Sequence, residues 1–348
     1  MEKAILKNYI VYKQTMGTGA FDDPPDSRDY PYDAMALGAP AVDWNKGFHI
    51  LNHIEDEIPF KNQDGSSSCV GQAYSYYGGV KNAIEVGYYD ETSAKSIYSY
   101  IALNGGGAYL REGAKRFVDY GANLELLVPS YENGNPPSER FMTDKSWLTP
   151  EIESLAKILQ ASEYRRIVAA KNMDLFATAI RDNHGVVAGV RGSNNGTWGT
   201  YEPKPPTNPE WGHALYFGAF GIDDNGKYIA TPNSWGARKK TKNYPDGWQK
   251  LREDYFTTGN MFDPWTLTDK PNPPVMSEKT KELMEKMEKK IIIEGTGIGR
   301  QGIIIGGKLR DIKSARAAKA CLYALANNKL GITIDTKTFE EMVKGADF

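Results

Sequence analysis

The sequence predicts an α+β protein whose helical half and strand half face each other across a cleft, and three observations carry this. From Cys69 to about residue 150 the pattern is mostly helical, with stop signals at Asn104-Gly105-Gly106-Gly107 and Gly121. Beyond Gly185 short apolar runs of β type replace it, and Asp224-Asn225-Gly226 between two of them is a hairpin signal. Helices followed by strands form an α+β arrangement, and ligand sites fall where such lobes meet.

Composition narrows the classes. The 348 residues are 40% hydrophobic and 25% charged, with a net charge of −2. That is a globular chain with room for one large domain or two or three smaller ones, and nothing in it favours nucleic acid as a partner. No apolar run is long enough to cross a bilayer, and Met1-Glu2-Lys3-Ala4-Ile5-Leu6-Lys7 opens without a secretory apolar core. A cytoplasmic setting without a membrane partner is therefore expected, with release by lysis left open. The two cysteines, Cys69 and Cys321, stand in different contexts, which argues against a disulfide framework.

Taken in order, residues 1–40 are an arm rich in Asp, Pro and Tyr that can be ordered only by lying on something else. The globular part, 41–270, opens at Val42-Asp43-Trp44. Ile58 to Gln63 leads as a short strand or loop into the cysteine. Ser67 or Ser68 is a natural N-cap for the first helix, Ser93 to Tyr100 is a second, and Leu110 to Tyr120 a third. Asp174 to Ile180 is a short helix, and Gly185 to Val190 a buried strand. Ala214 to Phe220 and Lys227 to Ala230 form the hairpin, with Gly247 to Leu251 a further strand-like piece. A proline-rich linker, 271–277, leads to a C-terminal module, 278–348: a charged helix, two isoleucine runs and further helices.

The chemistry centres on Cys69. In the first turn of a helix a thiol lies at the positive end of the macrodipole, which favours the nucleophilic thiolate. A lone cysteine is more often a small buried hydrophobe. What raises Cys69 is Gly212-His213-Ala214 at one end of the hairpin, about 140 residues on, with Asn233-Ser234-Trp235-Gly236 at the other. An imidazole can activate the thiol while a carboxamide fixes the ring. A strict two-residue turn at Asn225-Gly226 would set Asn233 opposite Gly218, so a bulge or longer loop has to shift the register if the pair is to meet.

Gln63-Asp64-Gly65-Ser66-Ser67-Ser68-Cys69, the later Gly-His-Ala and Asn-Ser-Trp-Gly, and Asp246-Gly247-Trp248 together resemble the papain-like cysteine peptidases. The resemblance implies a two-lobed fold: a helical left lobe, an antiparallel β-barrel-like right lobe and an active-site cleft between. It implies that Cys69 is the nucleophile, His213 the general base and acid, and Asn233 the orienter. Gln63 and the Cys69 backbone N–H would form the oxyanion hole. Trp235 would shield the His–Asn bond, and Gly105, Gly106, Gly107 and Gly212 would line the path of a protein or peptide substrate. Ser66 in place of the usual cysteine and Val70 in place of the usual aromatic mark a divergent, disulfide-free member of microbial or viral type. The long inhibitory pro-region of many members is absent, so the arm is a candidate inhibitor.

No metal or cofactor is expected. His53 has acidic neighbours, Glu55 and Asp56, but no second histidine at ligand spacing. Gly297-Ile298-Gly299-Arg300-Gln301-Gly302 and Gly302 to Lys308 mimic phosphate loops, but an isoleucine strand stands where a helix is needed and Leu309 replaces the metal-binding Ser or Thr. Glycine turns in a β-hairpin are the better reading. Two functions follow: a cysteine peptidase, or a non-catalytic or acyl-transferring protein that binds peptides and attaches to a larger assembly through a protein partner of the C-terminal module.

Overall fold

The computed structural model describes residues 19–268 apart from 28, 34–37, 55–56, 88, 133–134 and 169–171, together with 4–6, 9–11, 292–295, 301–303 and 331–334. β1 (Ala4–Leu6) and β2 (Tyr9–Val11) form an antiparallel pair. β3 (Ala20–Phe21) belongs to the arm, and β4 (Phe48–His49) is the first strand of the globular part.

The helical lobe is built around α1 (Cys69–Val86), which is buried on every side from Cys69 to Val80. Glycine makes this burial possible. A Cβ on Gly71 would lie 2.7 Å from the Cβ of Tyr98 on α2 (Ala94–Ile101), and one on Gly113 of α3 (Leu110–Asp119) would lie 2.4 Å from the Tyr74 ring. Each helical glycine costs about 1 kcal/mol of propensity, and here the close approach of three helices offsets it. Ser93 caps α2 by accepting from the Ser96 N–H at 2.9 Å. β5 (Ala108–Tyr109) precedes α3, which ends where expected: Gly121, at φ 78°, donates to the carbonyls of Arg116 and Phe117. Two short helices the sequence reading passed over, α4 (Glu139–Thr143) and α5 (Pro150–Ala156), are capped by Ser138 and Thr149.

The strand lobe contains β6 (Glu163–Arg166), α6 (Met173–Asn183), β7 (Val186–Gly192), β8 (Trp211–Phe217), β9 (Ala219–Asp223), β10 (Gly226–Thr231), β11 (Gln249–Arg252), α7 (Asp254–Thr257) and β12 (Met261–Thr268). They form two open antiparallel sheets, ordered β6-β12-β7-β8 and β11-β10-β9-β4, so the expected barrel-like lobe is not a closed barrel. The expected single strand from Ala214 to Phe220 is in fact two, broken at Gly218, where the chain leaves one sheet and enters the other. β12 went unread in the sequence because Pro264 sits inside it. A proline is tolerated in this inner strand because the ladder to β7 shifts between Phe262 and Trp265, with Asp263 at φ 43°.

The lobes are joined through Tyr77 of α1. Its hydroxyl donates toward the Asn183 carbonyl at 2.9 Å and accepts from the Leu267 N–H at 3.1 Å, so one buried side chain ties the central helix to α6 and β12. Toward the C-terminal end β13 (Ile292–Gly295) pairs antiparallel with β14 (Gln301–Ile303), as the hairpin reading of the glycine-rich decoys expects, and parallel with β15 (Gly331–Ile334). The expected charged helix, the expected later helices and Cys321 lie outside the described residues.

Candidate active site

Cys69 is the first residue of α1, with Ser68 as the cap. The capping is not the side-chain kind the sequence suggests: the Ser68 hydroxyl bonds that of Ser66 at 2.8 Å and accepts from Gln72 Nε2 at 3.3 Å, but takes no backbone N–H of the helix. Nor is the thiolate favoured. Cys69 is fully buried, and burial pushes its thiol up to about 11 against the nearby backbone amides, those of Ala214 and Gly19 first among them. The dipole argument holds for an exposed helix end, and this end is covered.

His213 stands on β8 and Asn233 just past β10. The imidazole Nε2 lies 2.9 Å from Asn233 Oδ1. The register problem is solved in three places. The turn falls one residue earlier than expected, pairing Asp223 with Gly226. The strand breaks at Gly218, and Asn233 adopts a left-handed backbone, φ 56°, which asparagine tolerates better than most residues. Burial lowers the His213 imidazole to about 4 against the hydrogen bond it donates to Asn233, and Nδ1 is buried without a hydrogen-bond partner. Trp235 stacks on the ring at 4.3 Å and 18°, with Trp198 and Trp211 edge-on around it.

Gln63 is fully buried; its Oε1 accepts from the Ser234 hydroxyl at 2.6 Å, and its Nε2 donates toward the Ser66 carbonyl at 3.3 Å. The segment before it is tied to the other side of the site by Tyr76 of α1, whose hydroxyl accepts from the Lys61 N–H at 2.6 Å and donates to the Asn233 carbonyl at 2.9 Å.

The arm crosses this site. Gly19 donates to the Gly212 carbonyl at 3.2 Å on the strand lobe and accepts from the Ala108 N–H at 2.7 Å on the helical lobe, and β3 continues as a parallel strand beside β5. The fit is tight: a Cβ on Gly19 would lie 2.0 Å from the Ser67 carbonyl oxygen, one on Gly212 2.3 Å from that of Ala20, and one on Gly107 2.4 Å from the Phe21 ring. Gly107 and Gly212 thus touch the arm. Gly106 lies beside Ser67, and a Cβ on Gly105 would have nothing within 4 Å.

Behind the crossing, Asp23 anchors the arm. Its carboxylate accepts from the backbone N–H of Arg111 at 3.0 Å, in the first turn of α3, and from Trp265 Nε1 at 2.7 Å. Its own N–H donates to Asp263 at 2.6 Å. Burial raises Asp23 to about 6, with Asp263 adding to the rise and the Arg111 and Trp265 donors opposing it. Asp29 pairs with Arg111 at 2.7 Å and Arg166 at 3.3 Å, and Arg166 bridges to Asp263.

The sequence reading missed Gln249, whose Oε1 accepts from Asn233 Nδ2 at 2.6 Å; a polar residue in a strand facing the core was the only available signal. It also missed the anchoring role of Asp23, one of many acidic residues in the arm. The other histidines have structural partners. His49 bonds Asp246 at 2.7 Å, His53 stacks on Phe48 at 4.7 Å, and His184 is the left-handed C-cap of α6. Among the described residues no helix is long and apolar enough to cross a membrane.

No known family's sequence profile matches the chain, and no curated protein does. Solved structures do. Xylellain, a cysteine protease from Xylella fastidiosa, is similar over 77% of this chain and 100% of its own, at 20% identity and TM-score 0.58. Procathepsin B S9 from Trypanosoma congolense matches over 75% and 92% of the two chains, at 13% identity and TM-score 0.54. Digestive procathepsin L 3 of Tenebrio molitor matches over 73% and 76%, at 16% identity and TM-score 0.52. The chain has the two-lobed α+β fold of the papain-like cysteine proteases.

Proposed function

We propose that the chain is a cysteine peptidase that hydrolyses peptide bonds through Cys69, His213 and Asn233, and that residues 19–21 hold it closed. The observation that carries the reading is the His213–Asn233 bond beneath Trp235, with Nδ1 left unpartnered. A neutral imidazole that donates from Nε2 keeps Nδ1 as a base.

With the arm in place, thiol and imidazole are both neutral, because burial penalises their charged forms. Release of the arm admits water and substrate, and solvation lets the proton pass from sulfur to His213. The thiolate attacks the peptide carbonyl. Gln63 and the Cys69 N–H then donate to the oxyanion, His213 protonates the leaving amine, and water hydrolyses the thioester. Trp235 keeps water off the His–Asn bond, and the backbone edge at Gly105–Gly107 and Gly212 pairs with the extended substrate. A peptide or protein is the substrate partner, and the C-terminal module is the candidate attachment point for a protein partner.

The closed cleft also favours a second reading: a protein that keeps the fold to bind a peptide, its own arm included, without cleaving it. A thiol-dependent cleavage assay on a generic peptide separates the two. Gly19→Ala, which has no room for its Cβ beside Ser67, should cleave faster than the wild type, and adding Cys69→Ala should abolish the activity. No cleavage from Gly19→Ala or from a chain lacking residues 1–33 would leave the binding reading standing.

A further inference from the structure

We infer that Gln249 is a positioning residue for the His213–Asn233 pair, holding the Asn233 carboxamide with its oxygen toward the imidazole. This rests on the reading of Cys69, His213 and Asn233 as a triad. The inference begins with groups whose hydrogen-bonding sense cannot change. Backbone carbonyls of Trp198 and Thr200 lie 3.1 and 2.7 Å from one end of the Gln249 side chain. A carbonyl only accepts, so that end is the NH₂ group and the oxygen points the other way.

Gln249 Oε1 therefore faces Asn233, at 2.6 Å, and the atom it meets must be a donor. That fixes the Asn233 NH₂ on this side and its oxygen on the opposite side. There the oxygen accepts from the Ser234 N–H at 2.6 Å and faces His213 Nε2 at 2.9 Å. An acceptor opposite Nε2 requires the proton on Nε2. A neutral imidazole has only one such proton, so Nδ1 is bare.

Ser234 constrains the oxygen end alone, whereas Gln249 holds the NH₂ end and its torsion. Gln249, Asn233 and His213 are 0%, 2% and 0% exposed, so water does not take the place of a lost partner. β11 places Gln249 opposite Thr231 at the end of β10, and so sets the carboxamide from the strand next to the one that delivers Asn233. Without Gln249, the Asn233 NH₂ group is buried with no acceptor, and the carboxamide turns away from the ring or flips.

The test reads the ring directly, by long-range proton–nitrogen correlation spectra of ¹⁵N-labelled full-length protein. The His213 signals are identified by their loss in His213→Gln. The wild type should show a single Nε2–H tautomer. In Gln249→Met a second, Nδ1–H pattern should appear at a tenth or more of the population. In Gln249→Glu at mildly acidic pH, the carboxylic acid donates to one carbonyl and accepts from Asn233, and the wild-type pattern should return.

A wild type with the proton on Nδ1, or a folded Gln249→Met with the wild-type pattern, overturns the proposal. If the methionine variant does not fold, Gln249→Glu at mildly acidic pH decides: an Nε2–H ring beside the protonated glutamate supports the proposal, and an Nδ1–H ring there counts against it. The spectra need no turnover. Absence of thiol-dependent cleavage would therefore sink the peptidase reading and leave this inference standing on its own result.

Discussion

At the residue scale, Cys69 and His213 are held in the protonation states that burial favours. Cys69, pushed up to about 11 from 9.0, should alkylate about a hundredfold more slowly at neutral pH than an ordinary thiol, because each unit is a factor of ten in thiolate. Iodoacetamide labelling followed by mass spectrometry checks this, and Gly19→Ala should restore most of the rate. For His213 the sign is that of a base kept neutral. Folding lowers it from 6.5 to about 4, so the unfolded chain takes up the proton first. Its contribution of about 3 kcal/mol is complete above pH 6.5 and is lost as pH falls toward 4. Asp23 has the opposite sign. Raised from 3.8 to about 6, it contributes fully below 3.8, and the contribution is gone once the pH has risen through 6. Denaturant titrations across this range on the wild type, His213→Gln and Asp23→Asn separate the two, and equal pH profiles in all three would contradict both assignments.

At the element scale, the arm behaves as an extra strand with an ionic anchor. Its strand, β3, is only two residues long, too little ladder to hold by itself. Asp23 at the start of α3 and Asp29 between Arg111 and Arg166 supply the rest. Arg111 and Asp29 are 9% and 8% exposed, and breaking one side of such a pair costs about 3–5 kcal/mol. Arg111→Met should accordingly release the arm, seen as rapid proteolysis within residues 1–40 and faster Cys69 labelling. An arm as resistant as in the wild type would show that the β3–β5 ladder suffices.

At the scale of the whole molecule, the two lobes carry different parts of one site, and their relative placement depends on a few buried polar ties. Tyr77 is the most connected of these, bonded to both α6 and β12. Tyr77→Phe removes only the oxygen yet strands buried backbone groups, at a cost of about 1–3 kcal/mol. Equilibrium unfolding should show that loss, and a broader transition if the lobes begin to separate independently.

The sequence by itself determined the class of fold and the order of its first three helices, because glycine stops, a hairpin turn and residue patterning are local signals; for Gln63, Cys69, His213 and Asn233 it supplied an expectation, carried by several spaced motifs taken together. Ser93 and Gly121 did in the structure what their residue types dictate, and the hairpin at Asp224–Gly226 formed with its turn one residue early. Tertiary structure decided the rest. β12 was hidden because a bulge excuses its proline. The His213–Asn233 pairing depended on a strand break and a left-handed backbone that no local pattern announces. The state of Cys69 was decided by a distant segment. A helix N-terminus favours a thiolate only where water can solvate it, and Gly19 to Phe21, packed over Ser67, Gly107 and Gly212, keep it buried.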